Sequence, residues 1–398
     1  MLHRRRFLQT LSSLPLVGGY LSRPSSAVAA SVFRDFLQEL GVPPIINAAG
    51  HYTMLTGSLM WPETLAAMVA TSKQYVRLVD LSEAVGARIA GMLGCEDALV
   101  TSGAAGALTL GTAACITGTD PDRILRIPDL EGMKNEVIIQ KSHRFPYDHS
   151  VRNCGIRMVE VETREDLVRA IGRQTVLLLF LNKYESRGQV RQEEFVRLGR
   201  EHGVPTFIDA AADLPPAENL TRLLRIGFDL VTFSGGKALR GPQSAGLLLG
   251  RRDLIAAARL NTVPHSDTLG RNLKVNKEEM VGMMVALEMF LAHDHAADWK
   301  RWEASIERIR RAMAAIPGVR AKPFVHEVAN ASPHLWIEWD SSRLGKTPAE
   351  VARVLGSGHP PIELAERGDH LEVAAWTLEP GEDAIVARRL RDALTGKA

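Results

Sequence analysis

Cysteine is scarce in this sequence, and its positive and negative charges nearly balance. The 398 residues include three cysteines, Cys95, Cys115 and Cys154, with no CxxC spacing and no histidine at ligand spacing. We therefore expect buried thiols rather than a zinc site or a disulfide framework, and no metal. The formal net charge of +2 gives no overall case for nucleic-acid binding. No window of eighteen apolar residues is present, so no membrane span is predicted.

Length and composition are those of an ordinary globular protein. Hydrophobic residues make up 45% of the chain and charged residues 24%, which is typical of folded domains. A chain of 398 residues exceeds one typical hydrophobic core, so about two domains are expected.

The N-terminus has the three-part layout of an export signal. Arg4-Arg5-Arg6-Phe7-Leu8-Gln9 precedes a modest apolar run, 11–21, and Ala27-Val28-Ala29 offers a small-residue cleavage site. This order resembles a twin-arginine signal, and an accidental basic terminus is the alternative. The interpretation predicts a signal peptide over residues 1–30, the twin-arginine export machinery as a partner, and a periplasmic location for the folded protein. A cytoplasmic location is the alternative.

The stretch 229–246 holds the most informative motif. A short apolar strand runs into Ser234-Gly235-Gly236-Lys237, and a Gly-Pro turn leads to a second apolar strand, 245–249. The two glycines permit a tight turn and the close approach of a ligand. A lysine here suits Schiff-base chemistry, although a solvated loop lysine shows the same short motif. A phosphate-binding P-loop is excluded, because Ala238 replaces the serine or threonine that it requires.

Asp209 ends another buried strand, Pro205-Thr-Phe-Ile-Asp209, upstream of the lysine. Pyridoxal phosphate requires a lysine for covalent attachment and an acid that keeps its pyridine nitrogen protonated. Ligands of parallel sheets gather at the carboxyl ends of the strands. The two residues therefore predict a pyridoxal 5'-phosphate site, in which Asp209 and Lys237 bind the cofactor.

The segment 203–251 resembles the fold-type-I pyridoxal-phosphate enzymes. The resemblance rests on Gly-Val-Pro-Thr-Phe-Ile-Asp-Ala-Ala, Asp-Leu-Val-Thr-Phe-Ser-Gly-Gly-Lys and Arg-Gly-Pro-Gln-Ser-Ala-Gly. Within these enzymes it is similar to the family of bacterial selenocysteine synthase (L-seryl-tRNA selenium transferase). This family has tRNA-independent relatives such as D-glucosaminate-6-phosphate ammonia-lyase. The likeness extends over about residues 45–291.

The resemblance assigns further cofactor-binding residues. A strand over 97–101, the small-residue turn Ser102-Gly103-Ala104-Ala105-Gly106 and a helix over 107–116 follow one another. This order alone suits either an anion site or close packing. The family pattern implies that this turn binds the cofactor phosphate, and that Ser234 also contacts the cofactor. It further implies that His143, after the strand 136–140, stacks on the pyridine ring, where it could relay a proton. A surface-loop histidine is the alternative.

Basic residues are candidates for substrate binding. Arg271, Lys274 and Lys277 match basic positions near the family's active site, where a partner subunit often contributes, although a solvated helix start is the alternative. The sequence departs from the family pattern at Trp376, which stands where an arginine usually precedes Thr-Leu. Arg367 is a candidate to compensate. The set of possible substrate ligands is Arg144, Arg271, Lys274, Lys277 and Arg367.

The predicted fold class is α/β. Seven short apolar strands alternate with helical patterns, which favours a mainly parallel seven-stranded sheet sandwiched by helices, with a smaller C-terminal α+β domain. The predicted divisions are the signal peptide at 1–30, an N-terminal arm at 31–60, a cofactor-binding large domain at 61–265, and a linking helix with the small domain at 266–398. Strands are expected at 97–101, 136–140, 156–161, 176–181, 205–209, 230–233 and 245–249.

The resemblance implies a lyase of the ammonia-lyase type. Lys237 would act as the base that removes the Cα proton of a small, polar, hydroxylated amino acid, and ammonia and a 2-oxo acid would be released. Racemisation and aldol cleavage begin with the same link between the substrate amine and the cofactor, so both remain alternatives. A tRNA-dependent selenium transferase is the next alternative, but the chain lacks a basic extension for tRNA. A non-catalytic binding protein is the third. A homodimer or higher homo-oligomer is expected.

Overall fold

The computed structural model describes residues 34–396, so the predicted signal peptide lies outside the described residues. By their contacts, the described residues from Ile46 onward form one compact unit. The predicted boundary at 265/266 stays a prediction. No helix in the described part of the chain is long and apolar enough to cross a bilayer.

The strands are short, as their apolar runs predict. They are β1 Ile46–Asn47, β2 Asp97–Ser102, β3 Glu136–Gln140, β4 Arg157–Val161, β5 Thr175–Leu181, β6 Thr206–Asp209, β7 Leu230–Ser234, β8 Ala245–Gly250, β9 Val319–Val325, β10 Pro333–Trp339, β11 Ile362–Glu363, β12 Ala365–Glu366 and β13 His370–Ala374.

Helices separate most of these strands. They are α1 Phe36–Glu39, α2 Pro62–Ser72, α3 Leu78–Leu93, α4 Gly103–Thr117, α5 Pro121–Arg126, α6 His149–Arg152, α7 Arg164–Ala170, α8 Gln192–Glu201, α9 Asn219–Ile226, α10 Arg252–Leu260, α11 Lys277–Ala292, α12 His295–Ala314, α13 Ser341–Leu344, α14 Pro348–Gly356 and α15 Glu382–Thr395.

The large sheet has seven strands in the order β2-β8-β7-β6-β5-β3-β4. Strands β3 to β7 pair in parallel, whereas β8 is antiparallel to both of its neighbours, β2 and β7. The predicted α/β class with a mainly parallel sheet is confirmed. Strands of this kind deliver their carboxyl ends to one edge.

Both faces of the large sheet are buried. Successive strand residues point to opposite faces, and the two apolar clusters alternate accordingly: Leu178 and Phe180 belong to one, Leu177 and Leu179 to the other. Helix α4 is almost wholly buried in the second cluster. This burial explains the near-continuous apolar composition of its sequence.

The C-terminal region has its own sheet and core. Strands β12, β13, β10 and β9 form a four-stranded antiparallel sheet. A third apolar cluster includes Trp302, Leu335 and Leu390, together with Ile46 from the arm. Strand β1 pairs in parallel with β11, Ile46 opposite Ile362.

The arm after β1 runs along the loop that carries Lys237. The amide of Ser58 donates to the carbonyl of Gly236 at 3.0 Å, and Gln243 Nε2 donates to the carbonyl of Thr53 at 3.0 Å. Trp61 Nε1 donates to the carbonyl of Leu239 at 3.0 Å. These contacts hold the lysine loop against the arm.

Candidate active site

A cavity of about 450 Å³ lies at the carboxyl ends of the parallel strands. Its walls come from the arm, the β2–α4 turn, the segments after β5, β6 and β7, and the C-terminal sheet. The polar and aromatic side chains that line it are His51, Tyr52, Thr53, Phe145, Tyr147, Lys183, Tyr184, Asp209, Asp213, Ser234, Lys237, Gln243, His326, Asn330, His334, Arg367, Glu372 and Trp376.

Lys237 and Asp209 both line this cavity, as the sequence predicted for neighbouring strand ends. Asp209 is the last residue of β6, which pairs with β7, and Lys237 follows the end of β7. No ion pair within 4.0 Å joins the two side chains among residues 34–396. The two groups therefore share a cavity without neutralising each other by direct contact.

Burial perturbs both groups. It lowers the pKa of the Lys237 amine, an effect that the negative charges of Asp209 and Asp213 oppose. It also raises the pKa of Asp209, which the amide of Ala211 and the charge of Lys237 oppose. The Ala211 amide donates to Asp209 Oδ1 at 2.9 Å and so fixes the orientation of the carboxylate.

Close packing explains the glycines before the lysine. A Cβ on Gly235 would lie 2.7 Å from the carbonyl oxygen of Ala245, and one on Gly236 would lie 2.4 Å from Cα of Gln243. Glycine is therefore required at these two positions by contacts with other parts of the chain. The loop is closed by a hydrogen bond from the amide of Arg240 to the carbonyl of Lys237 at 2.9 Å.

The start of α4 forms part of the cavity wall. Gly103 and Ala104 line it, Gly103 has a φ of +65°, and no side chain caps the helix N-terminus. Uncapped N–H groups at the start of a fifteen-residue helix suit an anion. Ser102 ends β2 and does not line the cavity, whereas Ser234 does.

Asp213 is a second acid in the same cavity. It follows Asp209 on one turn, with its amide donating to the carbonyl of Ala210 at 3.1 Å. Its side chain is buried, and neither carboxylate oxygen has a hydrogen-bond partner in the described part of the chain. Burial raises the pKa of Asp213 to about 7, an effect that the charge of Asp209 reinforces and the charge of Lys237 opposes.

Arg367 is the predicted substrate-binding residue that the structure brings to the cavity. Its Nε donates to Glu372 Oε2 at 3.0 Å, and its Nη2 donates to the hydroxyl oxygen of Tyr52 at 2.9 Å. Glu372 Oε1 in turn lies 3.3 Å from Nε2 of His370. These contacts fix the guanidinium at the cavity wall.

His143 is placed behind the cavity rather than against it. A 3₁₀ turn, Lys141–His143, follows β3 and directs the ring into the core, edge-on to Phe180 at 4.5 Å between centroids. Its Nδ1 accepts from the amide of Leu181 at 3.3 Å, and burial lowers the pKa of the imidazole to about 4. The aromatic residues after β3 that line the cavity are Phe145 and Tyr147. This geometry does not support ring stacking by His143.

The other predicted basic residues lie away from the cavity. Arg144 pairs with Asp148 at 2.6 Å and also contacts Glu160. Lys277 Nζ donates to the carbonyl of Thr71 at 2.7 Å and to Glu278. Arg271 and Lys274 are exposed and do not line the cavity. Their proposed contacts with substrate stay predictions.

Several cavity residues were not predicted from the sequence. His51 and Tyr52 come from the arm, and His326, His334 and Trp376 from the C-terminal region. Their convergence depends on tertiary contacts that no local pattern encodes. Asp213 did carry a signal, since it is a second acid on the apolar turn that follows Asp209.

Comparisons with known proteins identify similar chains. Residues 79–301 match the model of the family described as L-seryl-tRNA selenium transferase (SelA). The chain is 32% identical to a Streptomyces 5'-C-glycyluridine monooxygenase-decarboxylase, covering 90% of this chain and 91% of that protein. It is 30% identical to the D-glucosaminate-6-phosphate ammonia lyase of Salmonella typhimurium, covering 90% and 97%.

Solved structures with a similar fold include an ammonia-lyase and a serine palmitoyltransferase. A D-glucosaminate-6-phosphate ammonia-lyase structure superposes with a TM-score of 0.80 at 28% identity, covering 92% of this chain and 99% of that one. A Sphingomonas wittichii serine palmitoyltransferase shares the fold, with a TM-score of 0.55, 13% identity and coverage of 89% and 88%. The sequence match over more than half of the chain, joined to the lysine and acid in one cavity, shows that the protein belongs to the L-seryl-tRNA selenium transferase (SelA) family.

Proposed function

We propose that this protein is a pyridoxal-phosphate-dependent lyase that releases ammonia from a small, polar, hydroxylated amino acid. The observation that carries the proposal is the single cavity shared by Lys237, Asp209 and the N-terminus of α4. The ammonia-lyase relative, which matches over nearly its whole length, supports the reaction class.

The residues present fit pyridoxal 5'-phosphate. Lys237 offers the amine for covalent attachment, and Asp209 offers an acid for the pyridine nitrogen. The backbone N–H groups of Gly103 and Ala104 are available to the phosphate. The bound cofactor supplies an electron sink that stabilises negative charge at the substrate Cα.

The protein's own groups would then handle protons and orientation. The Lys237 amine, its pKa lowered by burial, is suited to accept the Cα proton. Arg367 would bind the substrate carboxylate through its guanidinium, which Tyr52 and Glu372 hold in place. The buried walls would exclude water while the β-hydroxyl leaves.

Colour and covalent trapping test cofactor binding. Purified protein should be yellow, and borohydride should bleach it and leave Lys237 modified in peptide mass spectrometry. A Lys237→Ala variant should give no modified peptide at that position. A colourless protein that is indifferent to added cofactor would exclude the proposal.

A substrate screen tests the reaction. D- and L-hydroxy amino acids, including sugar amino acids, should be assayed for 2-oxo acid and ammonia. Inversion of the Cα configuration without ammonia release would identify a racemase. Release of an aldehyde would identify an aldolase. Tight, salt-sensitive binding of seryl-tRNA, together with transfer of selenium to the seryl group, would favour the selenium transferase.

We further propose export and self-association. The sequence 1–30 supports export through the twin-arginine route, and fractionation of cells carrying the full chain would test it. Exposed apolar side chains on and near the arm and α2, including Met54, Leu59 and Val69, support a homo-oligomer. Light scattering of the purified protein would test this, and a monomer would contradict it.

A further inference from the structure

One wall of the cavity is aromatic and rich in nitrogen. We call His51, His326, His334 and Trp376 the histidine wall; all four line the cavity. The ring centroids of His51 and Trp376 are 4.1 Å apart, those of His326 and His334 4.8 Å, and those of His334 and Trp376 6.2 Å. The four rings therefore form one continuous surface.

The imidazoles of this wall are neutral near pH 7. Burial lowers the pKa of His334 to about 4 and also lowers the pKa of His326. Burial, reinforced by the positive charges of Lys237 and Arg240, lowers the pKa of His51 to about 3. Neutral rings of this kind offer hydrogen bonds without charge.

The tautomer of His334 is fixed by the backbone. Its Nδ1 lies 2.7 Å from the carbonyl oxygen of Ser332. A carbonyl oxygen only accepts, so Nδ1 carries the proton and Nε2 is left as an acceptor. This wall therefore includes a defined acceptor.

Two nitrogen atoms of the wall lack partners. Nδ1 of His51 and Nε1 of Trp376 are buried and make no hydrogen bond within the part of the chain that is described. Buried polar atoms are costly to leave unpaired. Both atoms have almost no accessible surface, so the acceptor that the wall offers to a ligand is Nε2 of His334.

Two cations lie beside the wall: Arg367, which is paired, and Lys183, which lines the cavity and is solvated. The Arg367 guanidinium contacts the buried carboxylate of Glu372, and Lys183 is exposed. One substrate carboxylate can still bind Arg367, but a phosphate on the far end of the substrate would meet uncharged rings. Burying such a dianion without a counter-ion is strongly unfavourable.

We propose that the histidine wall binds the uncharged, hydroxyl-bearing end of the substrate side chain, so that this enzyme prefers a neutral polyhydroxylated amino acid to its terminal phosphate ester. This inference rests on the proposed function, because it assigns the substrate class of the same cavity.

The test compares D-glucosaminate with D-glucosaminate 6-phosphate on the holoenzyme. Dissociation constants are read from the absorbance change of the bound cofactor, and kcat/KM from ammonia release. The neutral compound should bind at least tenfold more tightly and, where both react, show at least tenfold higher kcat/KM. Equal or tighter binding of the phosphate ester would overturn the inference.

A variant that adds charge to the wall gives a second test. Trp376→Arg should shift the ratio of the two dissociation constants toward the phosphate ester by at least tenfold. Tyr75→Arg adds the same charge at a fully exposed position outside the cavity and should leave the ratio unchanged. If the ratio of dissociation constants were unchanged in both variants, the proposed role of the histidine wall would be contradicted.

Loss of the hydroxyl contacts can be measured separately. His334→Leu should weaken D-glucosaminate binding at least tenfold while binding of D-alanine, which has no side-chain hydroxyl, changes less than threefold. Equal losses for both ligands would overturn the specificity role. If ligands bind in the expected order but no ammonia forms, the lyase proposal fails and the wall's ligand class stands.

Discussion

Ser58 donates its backbone N–H to the carbonyl oxygen of Gly236 at 3.0 Å, which joins the arm directly to the residue before Lys237. Gly57 approaches the same carbonyl so closely that a Cβ on it would lie 2.4 Å from the oxygen. The position of the lysine thus depends on a residue far away in the sequence.

Gly57→Ala should reduce cofactor affinity and activity, because the new methyl group would push the arm away from the lysine loop. Its φ of +72° adds a backbone cost of about 1 kcal/mol. Gly345→Ala is the matched control, with a φ of +69° and nothing within 4 Å of its Cβ. Cofactor titration of both apoproteins is the measurement. Equal cofactor affinities would show that the contact does not position the lysine.

Gly246→Ala should weaken cofactor binding through the phosphate end of the cavity. A Cβ there would lie 2.4 Å from the carbonyl carbon of Gly103 and 2.7 Å from the amide nitrogen of Ala104. The start of α4 would have to move, and inorganic phosphate should compete less well with the cofactor. Gly91→Ala, which meets nothing within 4 Å, should leave both constants unchanged. Unaltered phosphate competition in Gly246→Ala would contradict the assignment.

Lys237→Ala should abolish covalent cofactor attachment and lower kcat by roughly 10²–10⁴-fold through loss of the base. Asp209→Asn should retain the covalent link but lower kcat, because an amide cannot hold the pyridine nitrogen protonated. Absorbance spectra and single-turnover ammonia release would separate the two effects. A fully active Lys237→Ala protein would rule out the proposed base.

Asp213 should make the cofactor-free protein less stable as pH rises. Its folded-state pKa of about 7 exceeds the ordinary value of 3.8, so the folded state keeps a proton that the unfolded state has lost. The free energy of unfolding should therefore fall between about pH 4 and pH 7 and change little from this source outside that window.

Asp213→Asn should remove this pH dependence and stabilise the apoprotein at pH 8 by on the order of 2 kcal/mol relative to wild type. Urea unfolding at pH 5 and pH 8 is the measurement. Asp267→Asn, at an exposed position, should leave the slope unchanged. If the free energy of unfolding of Asp213→Asn varied with pH as in the wild type, this carboxyl group would not be the source of the pH dependence.

Arg367→Met should raise KM for the amino acid at least tenfold without altering cofactor affinity, because the guanidinium of Arg367 would contact the substrate carboxylate. Tyr52→Phe removes the hydrogen bond that holds Nη2 and should have a smaller effect in the same direction. Steady-state kinetics and cofactor titration would distinguish them. A change in cofactor affinity alone would contradict the role of Arg367.

The sequence predicts the sheet well because its signals are local. The strands β2, β6 and β7 are short apolar runs that end in a polar residue, and the parallel pairing of β6 with β7 brings Asp209 and Lys237 to one edge. These two residues needed only strand order and the rule that ligands gather at strand ends. The sequence predicts Gly103 and Ala104 in a turn before a helix over 107–116, whereas the helix begins at Gly103.

Side-chain direction and tertiary convergence could not be predicted in this way. His143 follows β3 as expected, but a 3₁₀ turn directs its ring into the core, and hydropathy does not encode that turn. His51 and Trp376 meet only because β1 pairs with β11 and the amide of Ala374 donates to the carbonyl of Ala48. No pattern within either segment indicates the other.

The pairing of β1 with β11 has a mechanical consequence. One short, continuous span of backbone is fastened to β11 at Ile46, to the C-terminal sheet at Ala48 and to the lysine loop at Ser58. Any swing of the C-terminal sheet that widened the entrance would pull on this tether and shift the reactive amine. Admission of substrate and placement of the nucleophile are thereby coupled through the main chain.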